Sequence, residues 1–313
     1  MTFPVLDEQL LLERLAPAAG KLRVVLDTDT YNEVDDQFAV VHALLSPERI
    51  SLEALYAAPF HNNRSDSPGD GMQKSYDEII RLLERLGVQE RDRVLKGSDR
   101  CLPSTSDAVR SPAAEHLIEL SKTGDGPLYV AAIGATTNVA SAILLDPSII
   151  ERIVVVWLGG HPPYWPTARE FNLQGDVAAA QVVFNSGVPF VQIPCAAVAS
   201  YLLTTIPELA THVQPQGDIG QYLFDICQTY RNGKAVWSKE IWDISVTGWL
   251  IDATWAPSVL IPSPILTDQM TWSVDASRHS IRISHSVRRD QIFGDLFGKM
   301  ERFAKGELTT SWS

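Results

Sequence analysis

Five short runs rich in apolar and β-branched residues alternate along the chain with segments whose apolar residues recur at helical spacing. The runs are Leu22–Leu26, Ile50–Tyr56, Leu128–Ile133, Ile153–Leu158 and Phe190–Ile193; the helical segments are Asp36–Leu45, Tyr76–Leu86, Ala113–Leu120, Asn138–Leu145 and Val177–Asn185. A strand that is apolar on both sides needs cover on both faces, and helical crossovers return successive strands parallel to one another. The pattern predicts an α/β chain with a mostly parallel (mixed) Rossmann-like sheet and helices on both faces. No Pro/Gly/Ser-rich linker, composition shift or internal repeat divides it, so residues 1–313 are expected to form a single domain. Beyond Ile193 the chain is irregular and rich in Trp and Pro, and periodicity assigns no elements there. In such sheets ligands bind beyond the carboxyl ends of the strands, so chemistry is sought directly after each apolar run.

Charge narrows the partners. A net charge of −12 opposes binding of a nucleic-acid polymer, whose phosphates call for Lys and Arg in excess. The first twenty residues alternate acids with leucines and lack a basic segment followed by an apolar one, so no signal peptide is expected. The longest apolar run, Ile153–Leu158, is too short to span a bilayer. Cys101, Cys195 and Cys227 lack paired metal spacing and read as free thiols in a reducing compartment, hence a cytoplasmic protein.

The first strand runs into Asp27-Thr28-Asp29-Thr30-Tyr31-Asn32-Glu33-Val34-Asp35-Asp36. Asp27 and Asp29 are two apart on extended backbone and leave the same side, while Asp35 and Asp36 open a helix. Four carboxylates so close repel unless a positive charge lies among them, and a hard cation, Ca²⁺ above all, takes six to eight oxygen ligands. Helix capping accounts for Asp35 and Asp36 alone, but not for Asp27 and Asp29 at a strand end. An apolar strand followed by Asp-x-Asp also opens the haloacid-dehalogenase phosphatases. That family has Thr or Val where Tyr31 stands and no Asp-Asp pair this close, so it ranks second.

With these residues the chain resembles the calcium-dependent nucleoside hydrolases of the inosine–uridine-preferring type, although its loop between Asp29 and Asp35 is two residues longer than theirs. Three later segments extend the resemblance. Ala132-Ile133-Gly134-Ala135-Thr136-Thr137-Asn138-Val139-Ala140 is similar to the family's turn between strand and helix. Gly159-Gly160 followed by Glu170-Phe171-Asn172 and Asp176 resembles its Gly-Gly turn, ribose clamp and Asp-started helix. Ile241-Trp242-Asp243 resembles its His-Asp pair, with Trp242 in place of the histidine that protonates the leaving group in many members. The resemblance covers roughly residues 22 to 260.

The resemblance implies hydrolysis of an N-ribosidic bond of a small-molecule nucleoside. Ca²⁺ would be held by Asp29, Asp36, the Ile133 carbonyl and Asp243, and would bind a water and two ribose hydroxyls. Asp29 would act as general base, Asp35 would hydrogen-bond a hydroxyl, and Asp27 would orient the loop from behind. Glu170 and Asn172, two apart on an extended segment, would face the sugar together. Tyr164 stands where the family often has a ribose-contacting Asn. Asn62 and Asn63, in a long Pro59–Tyr76 loop expected to lie over the site, offer a further sugar contact, and Arg64, Lys74 and Arg169 make the entrance less acidic. His161 is the available substitute acid, and Trp242 a stacking surface for a purine. The family forms dimers and tetramers, so a homo-oligomer is expected. A related glycosyl or ribosyl hydrolase, and a catalytically silent Ca²⁺- or sugar-binding descendant, stay open beside this reading.

Overall fold

The computed structural model describes residues 3–312. Helix α1 (Glu8–Leu15) leads into β1 (Leu22–Thr28), α2 (Asp36–Leu44), β2 (Ile50–Ala57), α3 (Pro68–Arg85), β3 (Val94–Lys96) and α4 (Pro112–Ser121). Then come β4 (Leu128–Ala132), α5 (Thr137–Leu145), β5 (Ile153–Leu158), α6 (Phe171–Gly175), α7 (Val177–Asn185) and β6 (Phe190–Ile193). The remainder comprises β7 (Leu203–Thr204), α8 (Ile206–His212), α9 (Gly217–Arg231), β8 (Lys239–Glu240) and α10 (Ile244–Ile251). It closes with β9 (Ser258–Pro262), β10 (Ile265–Leu266), β11 (Trp272–Ser273), β12 (Ser280–Ser284) and α11 (Arg289–Ala304).

Eight strands form one sheet in the order β3-β2-β1-β4-β5-β6-β12-β9, parallel throughout except that β9 runs against β12. Successive residues of β1 serve opposite faces, as the two-residue period of a strand requires. Val24 and Leu26 join the core formed with α2, α3, α9, α10 and α11. Val25 joins the one formed with α4, α5 and α7. The chain winds outward from β1 in one direction through β2 and β3 and in the other from β4, so the crevice between the carboxyl ends of β1 and β4 is the topological switch point.

The five central strands stand where the apolar runs placed them, with β1 reaching Thr28 and β4 stopping at Ala132. The helix expected from Tyr76 begins eight residues earlier, at Pro68. Ser67 caps it by accepting from the Asp70 N–H (3.1 Å), and Pro68 stands in its first turn. Gly69 and Gly71 interrupt the apolar stripe there, and Gly71 is required because a Cβ would lie 2.0 Å from the Phe60 carbonyl oxygen. The segment read as one long loop is therefore half helix. No helix among the described residues is long and apolar enough to cross a membrane.

Asn138, buried in the first turn of α5, ties the strand ends together. Its Nδ2 donates to Asp27 Oδ1 (2.8 Å), and its Oδ1 accepts from the Ser98 N–H (2.8 Å) and hydroxyl (3.1 Å). Asp27 Oδ2 is buried without a partner, so Asn138 is what keeps this carboxyl satisfied at all. Asn138→Ala is expected to destabilise the fold by about 2 kcal/mol or more, because it orphans a buried acceptor and a buried donor together. A chemical-denaturation curve with an unchanged midpoint would contradict this.

Candidate active site

A cavity of about 430 Å³ opens at the switch point. Its lining includes the carboxylates Asp29, Glu33, Asp35, Asp36, Glu170 and Asp243, together with Ile133, Leu158, Cys195, Asn32, Asn172, His161, Arg169 and Trp242. The fold brings four of these carboxylates together from three places. Asp29 follows β1, Asp35 and Asp36 open α2, and Asp243 opens α10, which packs on α2. Gly134, just after β4, makes room for Asp29, since a Cβ there would sit 3.1 Å from its carboxyl carbon.

The four are almost wholly buried and short of donors. Asp36 Oδ1 accepts from the Thr28 hydroxyl (2.5 Å), whereas neither oxygen of Asp29 has a partner. Neither Asp35 nor Asp243 makes a side-chain bond to cap its helix, unlike Asp176, which caps α7 through the Ala179 N–H (3.0 Å). Capping therefore does not explain the cluster. One oxygen each from Asp35, Asp36 and Asp243 lie within 4.8 Å of one another, so Asp35 rather than Asp29 completes the tightest trio. Among the described residues, Lys239 pairs with this group: its Nζ sits 2.6 Å from Glu33 Oε2 and 3.9 Å from Asp35 Oδ1.

Burial, reinforced by the neighbouring carboxylates, pushes Asp36 up to about 7 and Asp29 and Asp243 well above the usual range. Asp35 rises less, to about 6, because burial is opposed by Lys239. Asp27, buried but hydrogen-bonded by Asn138, rises to about 7. It does not line the cavity and supports β1 and α5 from behind. The unpartnered oxygens of Asp29, grouped with Asp35, Asp36 and Asp243 at a cavity that Ile133 also lines, form a donor set that fits a hard divalent cation.

Several expected sugar contacts are placed differently. Residues 170 and 172 do not share an extended segment: Glu170 caps α6 and Asn172 lies in its first turn. Glu170 accepts from the N–H groups of Gly160 (2.8 Å), Asn172 (3.0 Å) and Leu173 (3.1 Å), holding the Gly-Gly turn against the helix. The Asn172 amide donates to the carbonyls of Ile133 (3.1 Å) and Leu158 (3.0 Å), leaving its Oδ1 for a ligand. Asn62 and Asn63 do not line the cavity: Asn62 is spent on Asn32 (2.6 Å), and Asn63 is exposed because α3 starts early and shortens the loop. Tyr164 is 69% exposed in a Pro-rich turn, outside the lining. Arg169 does line it, whereas Arg64 and Lys74 are turned to Glu33 and Asp70.

His161 and Trp242 both line the cavity. His161 Nδ1 accepts from the Ala196 N–H (3.3 Å), which leaves Nε2 as the protonated nitrogen of the neutral ring, and burial lowers its pKa. The sequence assigns no site role to Leu158, Cys195 or the loop pair Asn32 and Glu33, which line the cavity, or to Lys239 beside them. Only the unusual loop length pointed to that pair.

The comparisons fit this geometry. Residues 24–293 match the family described as inosine-uridine preferring nucleoside hydrolase. The chain belongs to this family. A protein described as probable uridine nucleosidase 1 from Oryza sativa subsp. japonica is 33% identical over 241 residues, 68% of this chain and 70% of that one. Probable uridine nucleosidase 2 from Arabidopsis thaliana is 26% identical over 233 residues, covering 66% and 69%. A purine-preferring ribonucleoside hydrolase structure from Gardnerella vaginalis shares the fold, with a TM-score of 0.73 at 19% identity over 90% of this chain and 99% of that one. As a nucleoside hydrolase the protein is an enzyme that cleaves N-glycosidic bonds.

The raised carboxyls set how this nucleoside hydrolase responds to pH without metal. A carboxyl whose folded pKa exceeds its unfolded value keeps a proton the unfolded chain has lost. Stability therefore falls as pH rises from about 4 through about 7, the values to which Asp27 and Asp36 are raised. With a chelator the melting temperature is expected to drop across that window. Excess Ca²⁺ should reverse most of the drop, by about 2.7 kcal/mol at a hundredfold excess over Kd. Melting curves that coincide with and without chelator at neutral pH would contradict a metal site here.

Proposed function

We propose that the protein hydrolyses the N-glycosidic bond of a ribonucleoside, purines favoured, with Ca²⁺ held by Asp29, Asp36, Asp243 and the Ile133 carbonyl. The observation that carries this reading is Asp29: buried, with neither oxygen hydrogen-bonded, and lining the cavity beside Asp35, Asp36 and Asp243. When bound, the cation supplies the charge that acidifies a water and anchors sugar hydroxyls. Asp29 takes the proton of the attacking water. Asp35, kept nearer the ionised state by Lys239, accepts from a sugar hydroxyl. Asn172 offers Oδ1, and the carboxylates stabilise the positive charge that builds on the sugar ring as the base departs. The haloacid-dehalogenase alternative needs Asp27 as an exposed nucleophile, and Asp27 is fully buried within β1 and outside the cavity lining.

The leaving base decides specificity. At the position following Ile241 an indole stands in place of an ionisable group, so Trp242 can stack on a base but cannot protonate it. His161 is neutral at pH 7 on its lowered pKa and would serve as acid only in its minor, protonated form. A purine gains most from stacking, which favours inosine or guanosine even though the rice and Arabidopsis relatives are named for uridine. The three free thiols suit a cytoplasmic setting, and the reading includes a homo-oligomer of this one-domain chain.

Release of ribose from inosine, guanosine and uridine tests the reading. Asp29→Asn is expected to lower kcat by about 10²–10⁴-fold, the usual contribution of a general base. Turnover of uridine faster than of inosine would overturn the purine preference and leave hydrolysis standing. His161→Ala with a large loss in kcat makes it the acid; little change, with loss in Trp242→Ala, supports stacking. Ribose release from none of the three, with metal bound, would remove the proposed activity.

A further inference from the structure

We propose that Asn32 is a specificity-determining residue that donates a hydrogen bond from its side-chain amide to a sugar hydroxyl, aimed by a relay from Arg64 through Asn62. The inference rests on the nucleoside-hydrolase reading above. Asn32 belongs to the loop between Asp29 and Asp35, lines the cavity and is 8% exposed. Its backbone N–H donates to the Asp29 carbonyl (2.7 Å), so its main chain is tied to the residue at the heart of the carboxylate cluster.

Hydrogen-bond direction fixes which end of Asn32 is free. The Arg64 backbone N–H, which can only donate, meets Asn62 at 2.8 Å and identifies that atom as Oδ1. The other terminal atom of Asn62 is then the amide nitrogen, and it lies 2.6 Å from Asn32. The atom it reaches must accept, so it is Asn32 Oδ1, and the Asn32 amide nitrogen is left over. No acceptor among the described residues takes it.

The relay is anchored further. Arg64 Nη1 donates to the Glu33 carbonyl (2.8 Å), and the guanidinium lies 4.3 Å from the centre of the Tyr31 ring. The Asp29–Asp35 loop and the segment after β2 are thereby joined into one device.

What the amide would bind follows from its surroundings. The cavity is lined by acceptors, chiefly Asp29, Glu33, Asp35, Asp36, Glu170 and Asp243. A hydroxyl that donates to a carboxylate still has lone pairs to fill, and a neutral amide N–H fills one without adding charge. A sugar carries several such hydroxyls; an apolar ligand carries none.

The test combines Asn32→Ala and Asn62→Ala with a nucleoside and its 2′-, 3′- and 5′-deoxy forms. Turnover of the parent nucleoside by the unaltered enzyme is the control for the underlying reading. Asn32→Ala is expected to lower kcat/KM on the parent by about ten- to a hundredfold, the usual loss for a removed specific hydrogen bond. On one deoxy form it should have almost no further effect. Asn62→Ala should give a smaller loss with the same selectivity, because the donor remains but is no longer aimed.

Calorimetric binding of ribose to the Ca²⁺-loaded protein gives an answer even where no nucleoside is turned over: Asn32→Ala should weaken ribose and leave one deoxyribose unchanged. Equal losses on every sugar would mark a merely structural loop residue and overturn the proposal. So would undiminished ribose affinity and kcat/KM in a folded Asn32→Ala protein.

Discussion

Four like charges held out of water at one point are what the rest of this structure has to accommodate. Burying a carboxylate without a donor or a counter-charge costs several kcal/mol, and Asp29, Asp35, Asp36 and Asp243 are all buried together. The protein offers partial relief: the Thr28 hydroxyl to Asp36, the nearby Lys239 to Asp35, and the N-terminal ends of α2 and α10, whose dipoles favour negative charge. None of this reaches the bare oxygens of Asp29. The remaining deficit is met by protons when the solution supplies them, or by a cation that does the same at neutral pH.

Holding the cluster in register is a task for the helices. His42, in α2, bonds Thr247 of α10 through Nδ1 (2.8 Å) and Asp295 of α11 through Nε2 (2.8 Å), and Lys299 closes the group on Asp295 (2.6 Å). This polar knot joins α11 to the two helices that Asp36 starts and Asp243 immediately precedes. With Asn138 joining β1 to α5 on the other face, it makes the site a product of the whole sheet rather than of one loop. The leaving-group side is plainer by contrast. The indole N–H of Trp242 is too weak an acid to protonate a leaving base, Lys239 holds its proton firmly because Asp35 and Glu33 outweigh the effect of burial, and burial lowers the pKa of His161. On the proposed reading, the chemistry rests on the sugar side of the bond.

The sheet's centre and the carboxylates were legible in the sequence because each signal is local. An apolar run bounded by polar residues specifies a buried parallel strand, and Asp27 to Asp36 lie within ten residues. The edge strand β9 shows no apolar run because it is largely exposed, and α10 shows no stripe because it is buried on nearly all sides. Lys239 was invisible because its partner Glu33 is 206 residues away. Asn62, Asn63 and Tyr164 were credited with sugar contacts by position along the chain. The early start of α3 and the proline-flanked turn around Tyr164 move them off the cavity. Glu170 and Asn172 line the cavity, but they stand at a helix start rather than on extended backbone, so the backbone absorbs much of their hydrogen-bonding capacity.

Calorimetric titration of Ca²⁺ into chelator-treated protein, repeated in buffers of different ionisation enthalpy, addresses the proposed metal site most directly. The account predicts one ion per chain, bound with release of protons near pH 6.5 because Asp36 and its neighbours then still hold them, and with less release as pH rises toward about 8. In Asp36→Asn or Asp243→Asn binding should be lost or greatly weakened. Binding that releases no protons, or that survives both substitutions unchanged, would contradict the site described here.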